Sequence, residues 1–313
     1  MKKHNFSAGP CILPQEVLKQ ASESVLNFNN DNLSLIEISH RSKPFVDVMQ
    51  RSRNLVKEIL NVPNEYSVLF LQGGASLEFL MVPYNLMKLN GKAGYLNTGT
   101  WAKKAINEAK SLGQVSILGD SSENNYNYIP KNYVINDNLD YFHCTSNNTI
   151  YGTQIKIFHN CPTLMVCDMS SDIFSREINV NNFDLIYAGA QKNMGPAGTT
   201  LVIVKNKILG KTGRKIPTML DYRTHIEKDS MFNTPPVFPI YVSMLNLQWL
   251  KDLGGIKKIE KINQKKANLL YAEIDRNPLF TGTANKKDRS NMNVCFLLKD
   301  RSKEKEFNNL CQD

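Results

Sequence analysis

The stretch Asp184-Leu185-Ile186-Tyr187-Ala188-Gly189-Ala190-Gln191-Lys192-Asn193-Met194-Gly195-Pro196-Ala197-Gly198 decides how this chain is read. A short apolar run ends in a turn of small residues. The turn presents one lysine between an amide and a Gly/Pro loop. That pattern predicts a strand followed by a loop at the mouth of an α/β sheet. A lysine held there can lose its proton on partial burial and attack an aldehyde, forming a Schiff base. Taken alone, a lysine after a strand is more often a solvated surface residue.

Working outward, strands and helices alternate. Apolar spacing predicts helices over 14–26, with Pro14 in the first position, and over 45–60. A strand over 68–71 leads through the turn 72–76 into a helix that Pro83 must kink. A helix over 101–111 is closed by Gly113, and a strand over 115–118 follows. Further strands are expected over 139–144, 163–167, 185–188 and 200–204. Such alternation gives a mainly parallel sheet with both faces covered by helices. Ligands of these sheets sit at the carboxyl ends of the strands. Residues 72–76, 145–149, 168–171 and 189–193 all fall there. After Gly254-Gly255 the character shifts to a Lys-rich helix and a strand over 292–298, which reads as the start of a second domain.

Composition narrows the class. The chain has 313 residues, 42% hydrophobic and 21% charged, as in an ordinary globular protein. No apolar run is long enough to span a bilayer, and the basic Met1-Lys2-Lys3 start is not followed by a signal-peptide apolar region. A cytoplasmic location and no membrane partner are therefore expected. The net charge of +9 is not organised into a basic stretch interleaved with aromatics, and no helix-turn-helix or finger spacing occurs. A small anionic substrate is expected instead of nucleic acid. Six cysteines show no C-x-x-C pair and no metal-ligand spacing, so reduced thiols and no metal are expected.

Pyridoxal phosphate needs a lysine for its aldehyde, a carboxylate for its ring nitrogen, a cradle for its phosphate and a flat partner for its ring. Asp168 ends the strand before the one carrying Lys192 and suits the second role, although Asp-Met-Ser-Ser is also good capping chemistry. Gly73-Gly74-Ala75-Ser76, between strand and helix, offers backbone N–H groups to a phosphate; its plain alternative is a tight turn. Trp101 opens a helix and can stack on a ring or simply fill the core. His40-Arg41 suits bidentate capture of an anion, or else a surface ion pair. Asn233-Thr234-Pro235-Pro236 reads as a rigid loop.

These blocks carry a resemblance. Residues 5–10, 37–42, 72–76, 147–152, 168–172, 187–198, 233–236 and 289–294 resemble, in order, the phosphoserine aminotransferases, which are class V, fold-type I pyridoxal-phosphate enzymes. The resemblance implies that Lys192 forms the Schiff base and shuttles the α-proton, while Asp168 pairs with the pyridine nitrogen. It implies that Trp101 stacks on the ring, Thr149 bonds near the phenolic oxygen, and Ala75, Ser76 and Gln191 hold the phosphate. Asn233 and Thr234 would reach the phosphate of a partner subunit in a homodimer, and Arg41 with His40 would take the substrate's anionic groups. A large cofactor domain over 14–253 and a small α+β domain made of 1–13 and 254–313 are expected. The implied reaction moves the amino group of glutamate to 3-phosphohydroxypyruvate, with a related use in pyridoxine synthesis. Two departures stand out. Position 76 is Ser where many relatives carry Arg, and the chain stops before an arginine block that would bind the substrate carboxylate. The second implies either a sequence that is cut short or an incomplete small domain with weak transamination, in the limit a homologue that only binds the cofactor or dimerises. A cysteine desulfurase, with Cys144 or Cys161 as the reactive thiol, is the competing enzyme.

Overall fold

A computed structural model describes residues 4–312, so the first three residues of the expected 1–13 segment, and Asp313, lie outside it. In chain order come α1 (Gln15–Leu26), α2 (Lys43–Leu60), β1 (Tyr66–Leu71), α3 (Gly74–Leu86), β2 (Lys92–Asn97), α4 (Thr100–Lys110) and β3 (Gln114–Asp120). Then follow β4 (Tyr141–Thr145), a short hairpin of β5 (Asn147–Asn148) and β6 (Thr153–Gln154), β7 (Leu164–Asp168), β8 (Leu185–Gly189) and β9 (Thr200–Lys205). The chain continues through α5 (Tyr222–Glu227), α6 (Val237–Asp252), α7 (Gly255–Arg276), β10 (Phe280–Gly282), β11 (Phe296–Leu298) and α8 (Glu304–Gln312).

Seven strands make the main sheet, in the order β1-β9-β8-β7-β4-β2-β3. β9 runs antiparallel to both β1 and β8, and the other pairings are parallel. β1, β4 and β8 are buried along their whole length, so their apolar residues run continuously instead of alternating. One face packs Phe45, Leu55, Phe142, Met165 and Ile203 under α2 and α6. The other packs Phe79, Ile106, Tyr141 and Tyr187 under α3 and α4. Between β1 and α3 the chain turns on Gly73 (φ 89°) and Gly74 (φ 65°); a Cβ on Gly73 would sit 2.6 Å from the Leu77 side chain.

Three elements depart from the expected pattern. β2, Lys-Ala-Gly-Tyr-Leu-Asn, carries a glycine and polar ends that hide a strand otherwise buried between β3 and β4. α6 is apolar on several faces because it is wedged between α2 and α1, so it lacks the one-sided period of a surface helix. The strand expected over 292–298 shrinks to Phe296–Leu298. The Ser290 hydroxyl accepts the N–H groups of Met292 and Asn293, each at 2.9 Å, and bends the chain first. α7 closes over β10 and β11 through its own cluster of Ala267, Tyr271, Ile274 and Phe280.

Candidate active site

At the carboxyl ends of β4, β7 and β8, and the N-termini of α3 and α4, lies a pocket of about 130 Å³. It is lined by Ala75, Ser76, Trp101, Asp168, Gln191 and Lys192. Every one of these was expected from the sequence. Lys192 sits in the turn after β8, pinned where Met194 and Gly195 N–H groups both return to the Ala190 carbonyl. Its Nζ donates to Thr149 Oγ1 at 2.6 Å and lies 5.4 Å from the centre of the Trp101 ring. The N-terminal segment crosses its stem. The Cys11 N–H donates to the Gln191 carbonyl at 3.0 Å, and a Cβ on Gly9 would come within 2.9 Å of Lys192 Cγ. Burial pushes the Lys192 pKa down, against the pull of the Asp168 charge.

Asp168, the last residue of β7, is 3% exposed. Its Oδ1 accepts the Ser170 N–H at 2.9 Å and the Ser170 hydroxyl at 2.6 Å. The turn-capping role open from sequence is therefore real, yet it occupies one oxygen only. Among the described residues Oδ2 has no hydrogen-bond partner. Burial raises the Asp168 pKa, and the Ser170 bonds and the Lys192 charge oppose it.

The polar atoms left over test whether pyridoxal phosphate fits. Among the described residues Thr145 Oγ1 and Trp101 Nε1 are buried without a hydrogen-bond partner, and both residues line the pocket beside Asp168. Buried polar groups of this kind ask for a partner. The first-turn N–H groups of α3, next to Ala75 and Ser76, make an anion site at a helix N-terminus. Lysine, carboxylate, indole and anion cradle converge on one small volume, so the residues fit the cofactor.

Behind this layer lies a second one. His143 Nε2 shares a 2.8 Å hydrogen bond with the Tyr187 hydroxyl, and burial pushes the imidazole pKa down to about 3, so it stays neutral. On α3, the fully buried Glu78 accepts the Tyr222 hydroxyl at 2.6 Å through Oε2, while Oε1 has no partner among the described residues.

Four expected residues lie elsewhere. His40 and Arg41 sit between α1 and α2, with His40 nearly buried and Arg41 exposed. Asn233 and Thr234 lie in the loop before α6, where the Thr234 carbonyl accepts Gln72 Nε2 at 2.9 Å. None of them lines the Lys192 pocket of its own chain. Neither do Cys144, 1% exposed on the sheet face opposite Asp168, or Cys161. Of the other lining residues, Phe79 was missed, while Thr145, Asn147, Ser170 and Ser171 fall in the strand-end segments 145–149 and 168–171 singled out from the sequence, without a role of their own. Polar residues immediately following a buried strand were the available signal.

A lysine and a carboxylate over the strand ends of this sheet define a pyridoxal-phosphate aminotransferase of fold type I. Residues 3–311 match the family Aminotransferase class-V. The phosphoserine aminotransferase of Flavobacterium psychrophilum is 67% identical over 303 residues, 96% of this chain and 85% of that one. That of Bacteroides thetaiotaomicron is 58% identical over 306 residues, 98% and 86%. The chain belongs to the phosphoserine aminotransferase family. Among solved structures, the phosphoserine aminotransferase from Bacillus circulans subsp. alkalophilus superposes with a TM-score of 0.96 at 40% identity, covering 99% of this chain and 87% of that one. The phosphoserine aminotransferase with bound pyridoxal phosphate from Trichomonas vaginalis gives 0.94 at 33% identity, over 99% and 90%.

Proposed function

We propose that this chain uses pyridoxal phosphate to move the amino group of L-glutamate to 3-phosphohydroxypyruvate, giving 2-oxoglutarate and O-phospho-L-serine. The same chemistry on a phosphorylated hydroxythreonine would serve pyridoxine synthesis. The observation that carries the reading is the placement of the Lys192 amine and the free Oδ2 of Asp168 in one pocket over the strand ends.

Bound there, pyridoxal phosphate supplies an electron sink for negative charge at the substrate α-carbon. The rest falls to the chain. Burial lowers the Lys192 pKa, which favours a free amine able to accept the α-carbon proton and return it. Thr149 Oγ1 fixes the direction of that amine. Asp168, through Oδ2, would hold the proton on the ring nitrogen. Trp101 would cover the ring and keep water out, and Ala75, Ser76 and Gln191, which line the same pocket, would hold the phosphate. Ser76 brings a neutral hydroxyl, so the helix N-terminus supplies most of the attraction there.

The reading extends to a homodimer in the cytoplasm. Asn233 and Thr234 would serve a neighbouring copy's phosphate, and Arg41 with His40 the anionic groups of substrate. Their positions away from their own chain's pocket support the shared site, and no described helix is long and apolar enough to cross a membrane. Residues 14–253 would form the cofactor domain, and 1–13 with 254–313 the smaller one. The test is phosphoserine formation from glutamate, with visible absorbance on adding pyridoxal phosphate that Lys192→Ala removes. Faster sulfide release from cysteine than transamination would sink it.

A further inference from the structure

Asp168 is held by a residue with no role in the reading above. The Ser170 hydroxyl has one proton to donate, and it goes to Asp168 Oδ1 at 2.6 Å; the Ser170 N–H reaches the same oxygen at 2.9 Å. The hydroxyl oxygen also accepts the Gly189 N–H at 3.1 Å. The last registered pair of β7 and β8 is Asp168 with Tyr187, so this bond ties the two strands just beyond the end of their ladder. Gly189 lies three residues before Lys192. Ser170 is 7% exposed and lines the pocket itself. Its neighbour Ser171 is engaged elsewhere, donating to the Asn147 carbonyl and accepting Asn147 Nδ2.

We propose that Ser170 is the positioning residue of this site: it locks Asp168 by Oδ1, turns Oδ2 alone toward the ring nitrogen, and couples that carboxylate to the strand carrying Lys192.

Two further facts support it. Burial raises the Asp168 pKa, and the strongest opposing influences are the Ser170 hydroxyl and N–H, ahead of Lys192. Removing the hydroxyl therefore favours a neutral Asp168 that no longer holds a proton on the ring nitrogen. A carboxylate with one oxygen saturated also has less freedom to rotate, so its second oxygen points one way.

The inference rests on the cofactor reading, and the experiment separates the two. Wild type, Ser170→Ala, Ser170→Thr and Lys192→Ala are prepared as apoprotein, checked for folding by circular dichroism, and titrated with pyridoxal phosphate. The dissociation constant and the pH dependence of the visible absorbance are read alongside kcat and KM. Ser170→Ala should weaken cofactor binding about tenfold or more, the scale of one lost bond to a charged group. It should also displace the pH titration of the absorbance and lower kcat more than the glutamate KM. Ser170→Thr, which keeps the hydroxyl, should restore the wild-type titration. An unchanged titration and dissociation constant in folded Ser170→Ala would overturn the Ser170 role and leave the cofactor reading standing. Failure of the threonine variant to rescue would do the same. A wild type with no absorbance for Lys192→Ala to lose would overturn both.

Discussion

Replacing Glu78 with Gln should stabilise the protein, and increasingly so as the pH rises. Glu78 is fully buried on α3, its Oε2 accepts the Tyr222 hydroxyl, and its Oε1 has no partner. Burial first, and then the Asp168 charge, raise its pKa from 4.5 to about 8, against the pull of the Tyr222 bond. The native state thus keeps a proton that the unfolded chain releases near 4.5. Between those values the folded state binds more protons than the unfolded one, so stability falls as pH rises. The slope is ~1.4 kcal/mol per pH unit, and over the interval the loss reaches at most about 5 kcal/mol. Gln has nearly the same shape, still accepts from Tyr222 and has nothing to titrate. The two proteins should therefore have similar urea midpoints near about pH 5, with the Gln variant pulling ahead by about pH 8. The comparison is made on apoprotein at one fixed concentration, because ligand and self-association both move midpoints. Equal midpoint differences at the two pH values would refute the assignment of a protonated, buried Glu78.

Three other outcomes follow from the pocket. Gly9→Ala places a methyl 2.9 Å from Lys192 Cγ and should shift the lysine, lowering kcat by about a hundredfold at little cost in global stability. Steady-state rates beside thermal melts check it. Asp168→Asn should leave a folded protein that still takes up pyridoxal phosphate but transaminates on the order of a hundredfold more slowly or worse, read by single-turnover kinetics. The same variant should change the pH dependence of cofactor uptake. The Asp168 charge is the largest influence raising the Lys192 pKa, so its loss lowers that pKa further. Uptake by the free amine should then begin at lower pH than in wild type; a shift to higher pH would contradict the geometry.

What could be read from the sequence, and what could not, divides along a physical line. The large, mainly parallel sheet was legible because β1, β4, β7, β8 and β9 are short, mostly apolar runs cut by small-residue turns. The rule that ligands collect at carboxyl strand ends then brought Lys192, Asp168 and the Gly73-Gly74 turn to one place before any coordinates. The contacts that make those residues work were not legible, even where the residue itself, as with Thr149, was implied by the resemblance. Thr149 reaches Lys192 only because the two-residue strands β5 and β6 fold back on each other, a tertiary fact with no period of its own. Ser170 looks like any polar residue of a turn; its hydroxyl matters because β8 runs beside β7 and offers the Gly189 N–H. Glu78 breaks an otherwise apolar helix, and without Tyr222 from α5 beside it the sequence gives no reason for a carboxyl there. His40, Arg41, Asn233 and Thr234 were recognisable as anion-binding or rigid-loop chemistry, yet none of them lines the Lys192 pocket of its own chain. A site's reacting atoms sit at the ends of regular elements and leave a trace in the pattern. The atoms that aim them arrive from neighbouring strands and loops, so their role depends on packing that no single segment encodes. On that argument, Ser170 and Glu78, one tying the strands of the site and the other buried on α3 against Tyr222, are where substitutions should test the mechanism more sharply than further changes at Lys192.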